Sequence, residues 1–411
     1  MKRFFYVCII LCAVFAILIG CAGRQKFEKA EIPENRMRAF LADKPEELKP
    51  GFRAMLEDGQ RNYVLNNIQV GVSALKLGHT EIAEKCFDEA LKHIEAVFAD
   101  NEKARKARSL WYEEGMKDFK GEPYERAMSY YYRGLLYMLE EDYENARACF
   151  KAGIIQDAFA EENQNRCDFA LLLFLEAFCS LKLGDQELAK AALEEMKKLR
   201  PDLAHPDTES NVLILVETGA SPRKLADGLG HAELKFFRGR NIVEKQVVLY
   251  VGDSKIMSYP IEDVAWQAMT RGGRPVDKII KGQVAFRKTH EKIGSTLTDI
   301  SSNLLLANPV MSNSDTMGAI GTALGIFGVA EMAMASRTRT HADTRYWNNL
   351  PDTVHISHMD LKKDTYKLKI HYQDETGAVV SEDQHKTTLV IDDKEDLILI
   401  WKRPDGNFVI K

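Results

Sequence analysis

The 411-residue sequence lacks the features that would commit it to nucleic acid, to a metal or to a known reaction. There is no excess of basic residues, with 56 Lys and Arg against 61 Asp and Glu and a net charge of −5, so it has no footprint for a phosphate backbone. Cysteine is too sparse for a disulfide scaffold. Of seven cysteines, Cys8, Cys12 and Cys21 lie at the N-terminus. Cys86, Cys149, Cys167 and Cys179 sit in helical patterns beside large apolar residues with no C-x-x-C spacing, which reads as buried free thiols; a disulfide among them stays open. The signatures G-x-S-x-G and H-E-x-x-H, the phosphate-binding loop and the dinucleotide fingerprint are all missing. His355 and His358 are three apart in a strand pattern and so point to opposite faces, a poor ligand pair, and His371 and His385 lie on other segments. Gly272-Gly273, between Arg271 and Arg274, reads as a turn rather than an anion site. No catalytic residue, metal or cofactor is assigned.

What is present begins at residue 1. MKRFFYVCIILCAVFAILIG carries Lys2 and Arg3, then an apolar run and a small-residue end, the layout of a secretory signal. Cys21 follows, and Leu18-Ile19-Gly20-Cys21 resembles the lipobox of bacterial lipoproteins. The resemblance implies cleavage before Cys21 and lipidation of its sulfur. Acyl chains then hold the protein to a membrane without a protein span, and Ala22, where an Asp would favour inner-membrane retention, points to the periplasmic face of the outer membrane. Without residues 1–20 the balance is 54 basic against 61 acidic residues, a net −7. Residues 21–55 read as a lipidated N-terminus and linker.

Residues 56–203 repeat themselves. Gly71, Ala74, Gly78, Ala83, Phe87 and Ala90 return as Gly134, Tyr137, Tyr143, Ala146, Phe150 and Gly153, and a third copy runs from Ala177 through Gly184 and Ala189 to Met196. The pattern resembles tetratricopeptide repeats, in which small residues let paired helices cross closely and a later aromatic fills the space between repeats. The offset of 63 residues between the first two copies leaves room for an extra helix, for which 103–120 is the candidate. An irregular array is expected, with a surface suited to a peptide or partner helix. In Gly121-Glu-Pro-Tyr-Glu-Arg126 the glycine can end a helix, Pro123 can begin the next and the glutamates suit its positive end. Grouped before Tyr130-Tyr131-Tyr132, the residues Glu122, Tyr124, Glu125, Arg126 and Tyr131 are candidates for a partner-binding rim.

Beyond Pro201 the helical period stops. Residues 210–411 read as a β-rich domain, with strands at 212–217, 232–237, 247–251, 354–358, 366–371, 387–391 and 396–401, arranged as a meander or sandwich. Helices are expected within it at about 289–306 and 315–337, so the fold class is α+β, a helical repeat domain followed by a β-rich one. The second helix contains MGAIGTALGIFGVAEMAMA. Its Gly318, Gly321, Gly325 and Gly328 fall on one narrow face at 100° per residue, a stripe for close packing that offsets about 1 kcal/mol of lost helix propensity per glycine. Ala342-Asp-Thr-Arg-Tyr-Trp-Asn-Asn-Leu-Pro351 follows, and Asp343, Arg345 and Trp347 read as an ion pair and a buried aromatic. With the signal, the repeats, the 119–125 turn and Val212–Gly219, this stretch is similar to a largely uncharacterised family of repeat-containing envelope lipoproteins. The resemblance implies a binding role in the bacterial envelope, possible proximity to peptidoglycan synthesis, and no reaction. The expectation is a lipid-anchored, non-enzymatic adaptor with an envelope protein as partner. Alternatives are an envelope enzyme or ligand-binding protein using the C-terminal domain, and a homo-oligomeric assembly packed through the glycine stripe.

Overall fold

The computed structural model describes residues 29–98, 118–158, 168–206, 208–227, 233–270, 343–383, 387–392 and 396–411. The first half is helical: α1 (Glu34–Leu41), α2 (Lys49–Asp58), α3 (Tyr63–Leu77), α4 (Thr80–Phe98), α5 (Pro123–Leu139), α6 (Tyr143–Ala158), α7 (Ala170–Lys182) and α8 (Gln186–Leu199). Three antiparallel hairpins, α3–α4, α5–α6 and α7–α8, pack side by side. Their glycines explain the repeat. A Cβ on Gly134 would stand 2.4 Å from Phe150, and one on Gly71 would stand 2.9 Å from Phe87, so each aromatic lies against bare backbone of its own hairpin. Phe87 also stacks on Tyr132 of the next hairpin at 5.4 Å. The first two motif copies are therefore one packing solution used twice. Most of the expected extra helix, residues 103–117, lies outside the described residues, while 118–120 is non-helical.

One correction concerns the expected linker. Residues 34–58 form α1 and α2 and bury Met37, Leu41, Leu48 and Phe52 in the main core. The reason is visible at Gly51, where a Cβ would meet Val70 of α3 at 2.5 Å. In α2 the apolar residues Phe52, Met55 and Leu56 recur at helical spacing and face the core, and the close contact at Gly51 adds to that periodicity.

The second half contains β1 (Val212–Thr218), β2 (Arg223–Asp227), β3 (Glu233–Phe237), β4 (Gln246–Val251), β5 (Ser254–Met257), β6 (Tyr259–Asp263), the short helix α9 (Val264–Met269), β7 (Thr353–Met359), β8 (Asp364–Gln373), β9 (Val379–Glu382), β10 (Thr387–Ile391), β11 (Ile398–Lys402) and β12 (Val409–Ile410). The class is α+β. One sheet has the order β12-β11-β1-β7-β6, a second has β10-β8-β4-β5 with β9 also on β8, and β2 and β3 form a hairpin. β1 lies parallel to β11 and antiparallel to β7.

The two large sheets make a sandwich through Val212, Ile214 and Val216 on one side and Val247, Leu249, Leu368 and Ile370 on the other. The opposite face of β1, with Leu213 and Leu215, belongs to the same core as the helices. Every residue of β1 is buried, which is why Val-Leu-Ile-Leu-Val is continuously apolar rather than alternating. The layers are helices, first sheet and second sheet. The expected helices at 289–306 and 315–337 lie outside the described residues, and no described helix is long and apolar enough to cross a membrane.

Candidate interaction site

The first helices of the three hairpins, α3, α5 and α7, are almost wholly buried. What covers them is the chain's own first sheet together with residues 343–352, which lead into it. Tyr132 of α5 meets Trp401 of β11 edge-on at 6.3 Å, and Phe174 of α7 meets His358 of β7 at 5.7 Å. Asn349 donates to the Gln69 carbonyl of α3 at 2.9 Å. A partner is left the second helices α4, α6 and α8 and the rim where helices and sheet part.

Three buried glutamates hold this seam. Glu125 closes the N-terminus of α5 in a capping box with Glu122. Its Oε2 accepts from the Glu122 N–H and its Oε1 from the Trp347 N–H, both at 2.7 Å. Glu217 of β1 accepts from the Tyr132 hydroxyl and the Trp401 indole N–H, each at 2.8 Å, with Arg403 3.8 Å away. Glu262 of β6 accepts from the Leu171 N–H at 3.2 Å and from Gln267 at 2.9 Å, near Arg200 at 3.7 Å. Burial disfavours the charged form of each. It pushes Glu125 and Glu262 up to about 7 against the opposing charges of Lys224 and Arg200, and raises Glu217 against Arg403.

The rim candidates of the 121–126 turn lie in this seam. Tyr124, Glu125, Arg126 and Tyr131 are buried, and Glu122 pairs with buried Lys224 at 2.6 Å. Tyr124 packs edge-on against Phe236 at 6.1 Å. Arg126 donates to the Gly121 carbonyl and to Gln156, both at 2.8 Å. The cluster is thus an internal joint, and its rim reading is corrected. The reason is that the β unit, arriving much later in the chain, covers the side from which a partner would have come. Asp343 and Arg345 do form an ion pair at 2.6 Å, and Trp347 is fully buried between Phe87 and Tyr132. Arg345 also donates to the Arg61 carbonyl and to Asn62, both at 2.9 Å. Burial works against the Asp343 carboxylate, but the Arg345 bond and charge outweigh it and hold its pKa below the usual range. Cys21, Gly318, Gly321, Gly325, Gly328 and Cys167 lie outside the described residues.

The remaining chemistry is structural. His355 meets Thr218 at 3.1 Å inside the fold, whereas His358 faces the helices, with Nε2 3.1 Å from the Ala204 carbonyl and Nδ1 3.5 Å from Ser210. The two histidines point apart, as their spacing requires. No group of three or more metal-capable side chains occurs among the described residues. Cys86, Cys149 and Cys179 are free thiols. Burial raises the pKa of all three, to about 12 for Cys86 and Cys149, which makes them poor nucleophiles.

One open feature is a groove of about 250 Å³ between the start of α4, the end of α5 and β12. Leu136, Leu139, Val409 and Ile410 give it an apolar floor, and Glu81, Glu84 and Glu140 rim it. Glu84 is held by buried Arg133 at 2.9 Å, whereas Glu81 and Glu140 are exposed and form no ion pair among the described residues. Neither Ile410 nor the groove was anticipated. β12 is too short to show a period, and only the fold brings it to the hairpins.

Fold and groove together define a class by architecture, an α-hairpin array whose inner face is sealed by a β-sandwich. No protein-family model, curated protein or solved structure matches the chain.

Proposed function

We propose that the protein is a lipid-anchored adaptor of the bacterial cell envelope, held by Cys21 on the periplasmic face of the outer membrane and binding a protein partner without catalysing a reaction. The observation that carries the docking reading is the apolar-floored groove at the exposed junction of two hairpins and a sheet edge. Concave sites of this kind are where ligands bind. Anchoring is supported by the charged start, the apolar run and Leu18-Ile19-Gly20-Cys21. A direct connection to peptidoglycan synthesis rests only on the family resemblance.

The test has two arms. Cys21→Ser should move the protein out of the lipid-modified membrane fraction, and metabolic labelling with a fatty acid should mark the wild type alone. A photo-crosslinking residue at Leu139 should give one discrete, saturable adduct in intact cells. Full membrane retention of the Cys21→Ser variant with no fatty-acid label on the wild type removes the anchor. Adducts that are diffuse and scale with expression, both at Leu139 and at Ile155 on the outer face of α6, remove the adaptor role.

A further inference from the structure

Resting on that docking reading, we propose that the groove receives an extended segment of the partner that presents a lysine or arginine next to an aliphatic residue, added as a strand to β12. The backbone gives the first reason. β12 is the edge of its sheet, and no described strand pairs with its outer side. Val409 lies opposite Trp401, and the Lys411 N–H donates to the Leu399 carbonyl at 3.0 Å. Antiparallel pairs alternate between bonded and non-bonded positions, so the N–H and C=O of Ile410 between them turn outward. A short added strand can use both, the main-chain mode by which extended peptides bind sheet edges.

The side chains select what that strand carries. Ile410 is 39% exposed although it is a large aliphatic residue lining the groove. With Leu136 and Leu139 it offers an apolar surface on which an aliphatic side chain, or the methylene stem of a lysine or arginine, can lie. The rim then sets the charge. The groove's own cation, Lys411, is turned to Glu141 at 2.5 Å. Glu81 and Glu140 form no ion pair among the described residues, so a cationic head reaching past the apolar floor meets two carboxylates, and an acidic segment meets repulsion. An aliphatic segment without a base would leave the carboxylates facing apolar groups.

The probe is Val-Arg-Val-Leu-amide carrying carboxyfluorescein on its N-terminal amine, titrated by anisotropy against the full lipidated chain in detergent. It should bind, bind more weakly at high salt, and lose at least about tenfold in affinity to a Glu81→Lys, Glu140→Lys double variant. Both positions are exposed, and an unchanged circular dichroism spectrum confirms the fold. A Glu-for-Arg peptide and a peptide N-methylated at both of its middle residues should not bind. Binding of the Glu peptide, equal binding to the charge-reversed protein, or no binding of the Arg peptide up to millimolar concentration overturns the inference. A discrete crosslinked partner engaged at Ile155 while the peptide stays unbound sinks this inference and spares the adaptor reading.

Discussion

β1 has two faces that do different jobs. Toward the second sheet it shows Val212, Ile214 and Val216, aliphatic side chains that meet others of their kind. Toward the helices it shows Leu213 and Leu215 but ends in Glu217, whose two oxygens accept from α5 and from β11. Aliphatic burial is non-directional and tolerates a shift of one side chain against another. A buried carboxylate with fixed donors does not, because any displacement leaves a polar group without its partner. The sandwich is therefore held mainly by area, with the buried Lys402–Asp383 pair at 2.7 Å as one fixed point between its sheets, whereas the helix–sheet seam is fixed at several buried glutamates. Glu262 repeats the device between β6 and α7, and Glu125 ties α5 to Trp347 in the segment that leads into β7.

The largest effect should come from breaking one pin. Glu217→Ala leaves the buried Tyr132 hydroxyl and Trp401 indole N–H unpaired and takes from Arg403 its buried acid, and should cost about 3–5 kcal/mol. Ile214→Val, three residues away on the other face, removes one methylene and should cost about 0.5–1.5 kcal/mol. Denaturant unfolding of the two variants measures both. Equal losses would mean that the seam is held by area alone.

A second prediction uses pH. In the unfolded chain Glu125 and Glu262 titrate near 4.5, whereas in the fold burial moves each to about 7. Between these values the folded state binds more protons, so this contribution is complete below pH 4.5 and is lost as pH rises to 7. It amounts to at most roughly 3 kcal/mol for each group. Asp352, pushed up to about 6 by burial against Arg238, adds in the same direction. The thermal midpoint should therefore rise as pH falls from 8 to 5.5. Glu262→Gln should flatten that rise, while Ile214→Val should shift the whole curve and keep its shape. A wild-type midpoint that falls across this range would contradict the protonated seam.

The two faces were not equally legible in the sequence. The aliphatic face of β1 is written in a five-residue apolar run, and the hairpins are written in glycine and phenylalanine at matching offsets. The seam is not. Glu217 follows that run as an ordinary polar strand end, and nothing near it names Tyr132 or Trp401 as its donors. The Gly121–Arg126 turn shows the limit most clearly, because local rules correctly placed its capping glutamates and first-turn proline. Tyr and Arg are enriched at partner interfaces, but packed internal junctions use them too. Which one they serve depends on a β unit that begins some ninety residues later. β12 and the groove were hidden for the same reason: a two-residue strand has no pattern, and its partners are distant in the chain. Helices α1 and α2 were legible but missed: Met37, Phe40 and Leu41, and then Phe52, Met55 and Leu56, each recur at i, i+3 and i+4, a helical stripe that a linker does not need.

The smallest expected effect lies on the outer surface of the array. Leu188 on α8 is 41% exposed and Ile155 on α6 is 47% exposed, both on second helices turned away from the sheet. An exposed aliphatic residue recovers little area on folding, so Leu188→Ser and Ile155→Ser should each change unfolding free energy by no more than about 0.5 kcal/mol. Their value is as a contrast with the seam. If the isolated protein loses much more, the outer face is covered and the difference between inner and outer helices disappears. If stability is unchanged in isolation but Ile155→Ser destabilises the protein in native membranes, then the outer face gains its cover from another protein. Thermal unfolding of the purified chain beside protease protection in membranes separates these cases, because only the second measurement includes a partner.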